Sequence, residues 1–154
     1  MRIALGADHA GFGLKQALLE YLTAQGHTVQ DFGASDDSTS DYPDFAEPVA
    51  RAVAAGDVDR GILLCGNGVG MSLAANKVPG VRAVLCSDPY TARTSRTDDD
   101  TQVLCLGQRV VGMGLAREIV DVWLATEFSG AERHRRRLEK VSAMDAGPPH
   151  SPGC

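Results

Sequence analysis

The sequence predicts an α/β protein whose five-stranded parallel sheet is covered by helices on both faces. Short apolar runs without alternation recur along the chain, as expected of strands that are buried on both faces. Segments with apolar residues at helical spacing separate these runs. Strands that alternate with helices in this way form parallel sheets with right-handed crossovers. With 154 residues, the chain is long enough for one domain with its own core.

Each element has a local signal. Apolar runs predict five strands, at residues 2–6, 27–32, 59–65, 82–86 and 102–106. Helical spacing predicts six helices, which begin near residues 12, 43, 69, 89, 112 and 131. Gly26 and Gly56 are typical residues at which a helix stops, and Asp88 followed by Pro89 is a typical helix start. We expect one domain over residues 1–145 and a flexible tail over residues 146–154, which contains three prolines and two glycines.

Composition and charge argue against several classes of function. The chain has 44% hydrophobic and 23% charged residues, as ordinary globular domains do. Its net charge of −5 argues against nucleic acid as a partner, because phosphate backbones favour broad basic patches. No apolar run approaches the length of a membrane span, and the apolar start is too short for a signal peptide. We therefore expect a cytoplasmic protein that binds neither nucleic acid nor membranes.

The four cysteines do not suggest a metal site. They are Cys65, Cys86, Cys105 and Cys154. No pair has the CxxC spacing, and no histidine is placed to complete a zinc site. Cys86 and Cys105 each close an apolar run, so we interpret them as small buried residues, whereas Cys154 lies in the predicted tail.

The most informative stretch is residues 61–77, GILLCGNGVGMSLAANK. An apolar strand ends there in Cys65, and alternate glycines lead into a helix. This order directs backbone N–H groups and a helix N-terminus at one spot, which suits an anion. A thiol at that spot is a candidate general base or nucleophile, because the thiolate is stabilised there. The alternative is another buried cysteine beside a tight turn that binds nothing.

Two further groups of residues are candidates for a site. Asp8 and His9 follow the first strand, so they share the carboxyl-end rim of the sheet with Cys65 and could orient hydroxyls or carry protons. His9 could equally be a capping residue of the turn. Arg133 and Arg137 share a helix face, and two guanidinium groups suit a phosphate. A solvated helix face or a subunit contact is the alternative for these arginines.

Six segments combine into a specific set of motifs: residues 1–15, 41–43, 61–77, 79–83, 107–112 and 133–137. In this combination the chain, up to about residue 144, resembles the ribose-5-phosphate isomerase B family of sugar-phosphate isomerases. The resemblance implies a Rossmann-like three-layer α/β/α sandwich. It also implies a homodimer, or a dimer of dimers, with active sites at the subunit interface. The implied reaction is aldose–ketose isomerisation of a small phosphorylated sugar through a cis-enediolate, without metal or cofactor. Ribose 5-phosphate, from the pentose phosphate pathway, is the first substrate it implies.

The resemblance also implies roles for individual residues. Cys65 matches the base that moves a proton between C1 and C2 of the sugar. The anion hole for the enediolate corresponds to Gly66, Asn67, Gly68, Val69 and Gly70. Substrate-contacting positions correspond to Asp8, His9 and Tyr42. The phosphate ligands correspond to Arg109, Arg133 and Arg137, some of which reach across from the partner subunit.

Two departures from the family bear on the substrate. The family has His-Asn before the fifth strand, where the His assists opening of the furanose ring, but this chain has Asp98 and Asp99. The loop position that is Thr or Ser in the family is Asn67 here. An unperturbed aspartate has a pKa of about 4 and is a poor general acid at neutral pH. Asp98 stands at the catalytic position of the family His, and His134 is the other candidate to replace that histidine. Asp99 would place a negative charge near the developing oxyanion.

The missing histidine leaves the substrate open. Ribose 5-phosphate is mostly cyclic and needs ring opening, whereas erythrose 4-phosphate cannot close a furanose because its O4 is phosphorylated. We therefore expect either weaker activity on ribose 5-phosphate or another sugar phosphate of four or six carbons. A non-catalytic phosphosugar-binding module is the alternative from a different class, and the retained Cys65 argues against it.

Overall fold

The computed structural model of the chain describes residues 1–147. Its strands are β1 (Arg2–Ala7), β2 (Thr28–Asp31), β3 (Arg60–Cys65), β4 (Ala83–Leu85) and β5 (Val103–Gly107). Its α-helices are α1 (Phe12–Ala24), α2 (Pro43–Ala55), α3 (Val69–Ala75), α4 (Pro89–Thr97), α5 (Met113–Ala125) and α6 (Glu132–Ala143). Short 3₁₀ turns cover His9–Gly11 and Met144–Ala146. Residues 148–154, with Cys154 and most of the predicted tail, lie outside the described residues.

The five strands form one parallel sheet in the order β2-β1-β3-β5-β4. The three central strands are buried, which explains their apolar sequences without alternation. Their register aligns their carboxyl ends: Ala7 of β1 pairs with Leu64, and Cys65 of β3 pairs with Gly107 of β5. The predicted Rossmann-like α/β fold is confirmed.

Helices cover both faces of the sheet and form three layers. On one face, α1, α4 and α5 pack on alternate strand residues such as Ile62 and Leu64, with Trp123 fully buried among them. On the other face, α2 and α3 pack on the intervening residues, including Leu63 and Cys65. The side chain of Cys65 therefore belongs to the α2–α3 face, at the last position of its strand.

The edge elements are shorter than the sequence predicts. The sequence suggests residues 82–86 for the fourth strand, but β4 spans only Ala83–Leu85. Asn76 directly follows α3, and its side-chain amide donates to the carbonyl of Ala83 and accepts from the N–H of the same residue. Helix α3 ends at Ala75 rather than near residue 77, because this contact and the following Pro79 and Gly80 turn the chain toward β4.

Among the helices of residues 1–147, none combines the length and apolar character required to cross a membrane.

The turn after β1 fits closely against β3, and Gly11 makes this possible. A Cβ at Gly11 would lie 2.5 Å from the carbonyl of Leu64 and 2.8 Å from the backbone nitrogen of Cys65. A Cβ at Gly114, in the first turn of α5, would meet nothing within 4 Å.

We expect Gly11→Ala to lower the free energy of unfolding by about 1–3 kcal/mol, because the added methyl group must displace the end of β3. Gly114→Ala, the matched control, should be neutral or stabilising by up to about 1 kcal/mol. Urea denaturation measures both changes. Equal stability of the two variants would contradict the close packing at Gly11.

Candidate active site

An open cleft of about 490 Å³ lies at the carboxyl ends of β1, β3 and β5. Its lining contains predicted site residues from four separate parts of the chain: Asp8, His9, Tyr42, Cys65, Gly66, Asn67, Gly70 and Arg109. Parallel pairing of the three strands brings most of them together, because these groups follow the carboxyl ends of the strands. Tyr42 lies in the loop that leads into α2. Ala10 and Val110 also line the cleft, and their apolar side chains gave no functional signal in the sequence.

The thiol of Cys65 lies at the inner wall of the cleft and is held by the loop that follows it. The backbone N–H of Gly68 donates to its Sγ at 3.1 Å, and Sγ lies 4.0 Å from Oδ1 of Asn67. Gly68 has φ of +80°, a left-handed conformation that glycine adopts without strain, and this conformation lets the loop turn back to the sulfur. The loop therefore fixes the position of the sulfur at the cleft.

The same loop uses another of its N–H groups internally. Oδ1 of Asn67 accepts from the N–H of Val69 at 3.0 Å, in an Asx turn that leads into α3. Gly68 and Val69 therefore direct their N–H groups at the thiol and at Asn67, and neither residue is among those lining the cleft. The anion hole predicted for residues 66–70 thus has two parts. Gly68 holds the sulfur, with Val69 beside it, whereas Gly66, Asn67 and Gly70 face the cleft.

Asp8 and His9 form the wall opposite this loop. Oδ1 of Asp8, which is only 6% exposed, accepts from the N–H groups of Ala10 and Gly11 at 2.9 and 3.1 Å. Asp8 is therefore the cap of the 3₁₀ turn that places His9 at the cleft. The imidazole of His9 faces Ser40 through its Nδ1, at 3.2 Å from both backbone polar atoms of that residue.

Arg109 and Tyr42 complete the cleft. The backbone N–H of Arg109 donates to the carbonyl of Gly66 at 3.0 Å, and the preceding residue, Gln108, donates its N–H to the carbonyl of Cys65 at 2.9 Å. The guanidinium of Arg109 consequently lies beside Gly66, where it supplies positive charge. The ring of Tyr42 packs on Gly70, at which an added Cβ would lie 2.9 Å from ring atoms.

The other predicted site residues, Asp98, Asp99, Arg133 and Arg137, lie at the opposite end of the sheet in the same chain. Asp98 follows α4 and precedes β5, whereas Cys65 adjoins the far end of β5. A strand of this length separates the two edges by about 15 Å. The sequence places Asp98 and Asp99 before the fifth strand, and the family resemblance implies that some of the arginines act from the partner subunit, but neither gives this distance.

Helix α6 lies along that amino-terminal edge. Before it, the N–H of Ser129 donates to the carbonyl of Thr97 at 3.0 Å. After it, Asp145 accepts from the N–H of Gly80 at 2.8 Å. Thr97 and Gly80 precede β5 and β4 respectively, so both ends of the helix are fixed at the amino-terminal edge. Arg133 and Arg137 are exposed there, away from the cleft of their own chain.

Asp98 contacts His134, the residue that follows Arg133 in α6. Oδ1 of Asp98 lies 3.7 Å from Nδ1 of His134, and His134 is only 3% exposed. The same Oδ1 accepts from the hydroxyl of Thr97 at 2.8 Å. Ser129 Oγ lies 2.8 Å from the same Nδ1. The carboxylate of Asp98 and the start of α6 are thus linked, and a change at position 98 also affects the helix that carries Arg133 and Arg137.

The remaining described thiols differ from Cys65. Burial raises the pKa of Cys86 to about 12, and burial raises the pKa of Cys105 further. Both side chains are almost fully buried, as the sequence predicts. Within residues 1–147, no group of three or more His, Cys, Asp and Glu side chains could hold a metal ion.

The fold and the cleft define a class: a Rossmann-like α/β protein with a thiol, an Asp-His pair and an arginine at the carboxyl ends of its strands. Comparison with known proteins specifies the family. A model of the family described as Ribose/Galactose Isomerase matches residues 3–141. The chain belongs to this family.

Individual relatives agree with this assignment. The chain is 50% identical over 144 residues to ribose-5-phosphate isomerase B of Escherichia coli, covering 94% of this chain and 96% of that protein. It is 47% identical over 133 residues to a D-erythrulose-4-phosphate isomerase of Pectobacterium atrosepticum, covering 84% and 86%. The structure of Clostridium thermocellum ribose-5-phosphate isomerase B superposes with a TM-score of 0.93 at 48% identity, covering 95% and 98%.

We expect iodoacetamide to modify Cys65 in the native protein at neutral pH and to leave Cys86 and Cys105 unmodified. The thiolate is the reactive form, and the raised pKa of the two buried thiols keeps them protonated at this pH. Peptide mass spectrometry measures the modification, on a Cys154→Ser background that removes the C-terminal thiol. Equal labelling of Cys86 and Cys65 would contradict the environments described above.

Proposed function

We propose that the protein is an aldose–ketose isomerase of a small phosphorylated sugar, with ribose 5-phosphate as the first candidate substrate. The observation that carries this proposal is the sulfur of Cys65, which accepts a backbone N–H and lies in a cleft with Asp8, His9 and Arg109. The names of the relatives support the same reaction class.

The proposed mechanism moves one proton between two carbons. The thiolate of Cys65 removes the proton from C2 of the open-chain aldose phosphate, and the C–H electron pair forms the C1–C2 double bond. The carbonyl oxygen O1 becomes the oxyanion of a cis-enediolate and takes a proton. The thiol then returns its proton to C1, while O2 loses its own proton and becomes the ketose carbonyl. Backbone N–H groups in the part of the loop that faces the cleft, Gly66, Asn67 and Gly70, stabilise the negative charge on the enediolate.

Asp8 and His9 suit the hydroxyl groups of the sugar in this mechanism. A carboxylate accepts hydrogen bonds, and an imidazole ring nitrogen donates or accepts one. No step requires a metal or a cofactor, and we keep the metal-free reaction as a proposal. A cytoplasmic location, where phosphorylated sugars are metabolised, also stays a prediction.

We further propose that two copies of the chain share each active site. Arg133 and Arg137 are exposed at the amino-terminal edge, where they cannot bind a phosphate held in the cleft of the same chain. In a twofold-symmetric dimer, α6 of each subunit lies at the cleft of the other. Exposed apolar side chains beside the cleft support such an interface: Tyr42, Val69, Leu73 and Val110. The same contact would place Asp98 and Asp99 at the partner's cleft.

A subunit-mixing experiment tests the base and the shared site together. We expect Cys65→Ala and Arg137→Ala to lower kcat/KM by at least about 10²-fold each, because one removes the base and the other a phosphate ligand. When the two variants are co-expressed with different tags, half of the dimers are mixed and each has one intact site. The mixture should therefore regain about a quarter of wild-type activity.

Two outcomes would contradict this part of the proposal. If Cys65→Ala alone keeps most of its activity, Cys65 is not the base. Cys86→Ala is the control for the loss of a thiol outside the cleft. If the mixture regains nothing although mixed dimers form, Arg137 acts within its own chain; if Arg137→Ala alone keeps most of its activity, Arg137 is not a phosphate ligand. Binding of sugar phosphates by the wild type without any turnover would favour the non-catalytic binding module.

Erythrose 4-phosphate is the second candidate substrate, and Asp98 favours it. This position lacks the histidine that would open a furanose ring, and the D-erythrulose-4-phosphate isomerase of P. atrosepticum is 47% identical to the chain. A four-carbon substrate phosphorylated on O4 needs no ring opening. A hexose phosphate remains a further candidate.

We expect Asp98→His to raise kcat/KM for ribose 5-phosphate by about tenfold or more and to leave kcat/KM for erythrose 4-phosphate nearly unchanged. Kinetics on a panel of four- to six-carbon sugar phosphates measures both values, with Asp57→His as the control for an exposed substitution. An unchanged ratio between the two substrates would show that position 98 does not set the preference.

A further inference from the structure

Ser40 contacts His9 through three of its polar atoms. The backbone N–H of His9 donates to Ser40 Oγ at 3.1 Å. The backbone N–H of Ser40 donates to Nδ1 of the imidazole at 3.2 Å, and the carbonyl oxygen of Ser40 lies 3.2 Å from the same atom. The two residues are 31 positions apart in the chain, so these contacts depend on the tertiary structure.

These contacts distinguish the two ring nitrogens of His9, because only Nδ1 faces the Ser40 backbone. Nδ1 accepts from the Ser40 N–H when it carries a lone pair and donates to the Ser40 carbonyl when it carries a proton. In either case Nδ1 bonds to the Ser40 backbone. Nε2 is then the ring nitrogen that is left for a ligand in the cleft that His9 lines.

The segment that carries Ser40 is anchored at its start. The N–H of Ala34 donates to the carbonyl of Ala7 at 2.8 Å, and Nζ of Lys15 donates to the carbonyl of Ala34 at 2.7 Å. Lys15 is only 1% exposed and also pairs with Asp31 at 2.8 Å. A buried lysine that donates to a backbone carbonyl fixes the path of the chain at this point.

The segment is also anchored at its end, where it enters α2. The carbonyls of Asp41 and Tyr42 accept from the first N–H groups after Pro43. Ser40 thus stands between two fixed points and two residues before Tyr42, which also lines the cleft. The contact between Ser40 and His9 therefore connects the turn after β1 with the loop that leads into α2, and both segments line the cleft.

We propose that Ser40 is a positioning residue for His9: its backbone holds Nδ1 so that Nε2 is presented to a hydroxyl or ring oxygen of the sugar phosphate. This proposal rests on the function proposed above, in which His9 contacts the substrate. Ser40 itself does not touch the substrate and acts only through the imidazole.

Two substitutions separate the contacts, and Ser38 supplies the controls. Ser40→Pro removes the N–H that faces Nδ1, and Ser40→Ala removes the hydroxyl that accepts from His9. Ser38 lies in the same exposed loop, and its own N–H bonds only Asp36 at 2.9 Å. Ser38→Pro and Ser38→Ala therefore make the same chemical changes without touching His9.

The first readout is the imidazole itself. In long-range ¹H–¹⁵N spectra, we expect the ring nitrogens of His9 to shift in Ser40→Pro and Ser40→Ala and to stay unchanged in both Ser38 variants. Assignment follows from the loss of these signals in His9→Gln. Unchanged His9 ring signals in folded Ser40→Pro would overturn the proposal.

The second readout is kinetic coupling between Ser40 and His9. Ser40→Pro, which removes the N–H that faces Nδ1, should lower kcat/KM by about tenfold, the effect of one lost hydrogen bond to a functional group. In a His9→Ala background the same substitution should change kcat/KM by less than about twofold. His9→Gln, whose amide reaches the Nε2 position, should retain about tenfold more activity than His9→Asn, whose amide reaches the Nδ1 position.

The outcomes distinguish the two proposals. If Ser40→Pro has its full effect without the His9 imidazole, Ser40 has a structural role only and the positioning role is wrong. If His9→Asn is as active as His9→Gln, Nε2 is not the functional atom. If the wild type converts no sugar phosphate, the proposed function fails, and the ring spectra still decide whether Ser40 holds His9.

Discussion

Parallel pairing of β1, β3 and β5 is the constraint on which the rest of the structure depends. Cys65 and Gly107 are paired at the ends of β3 and β5, and the backbone groups beyond them bond to each other. Every cleft residue except Tyr42 follows from this alignment, because the chain leaves the sheet at the same edge after each central strand. The thiol, the Asp8 turn and Arg109 are therefore neighbours despite their separation in sequence.

The same alignment excludes other residues from the cleft. A helix that follows a parallel strand returns the chain to the amino-terminal edge, so Asp98 and Asp99 reach the end that is far from Cys65. Helix α6 is fixed along that edge as well. One chain thus presents a cleft at one end and a basic helix with an acidic loop at the other, which is the arrangement that a shared site in a symmetric dimer requires.

The environments of the thiols show how position in the sheet determines chemistry. Cys65 and Cys105 lie in neighbouring central strands, and both side chains belong to the α2–α3 face. Cys105 lies in the middle of β5, and burial of its side chain raises the pKa of the thiol. Cys65 is the last residue of its strand, where the following loop brings the Gly68 N–H to the sulfur. In the register of the two strands, a difference of two positions separates the enclosed Cys105 from the candidate base Cys65.

The sequence by itself determined the α/β class, the strand–glycine–helix motif at Cys65 and the rim that Cys65 shares with Asp8 and His9. These features follow from local patterns and from the rule that parallel strands end at one edge. Only the tertiary structure decided that Gly68 serves the sulfur, that Ser40 holds His9, and that Asp98, Asp99, Arg133 and Arg137 lie at the other end. Such contacts join distant residues, and no local pattern encodes their distances.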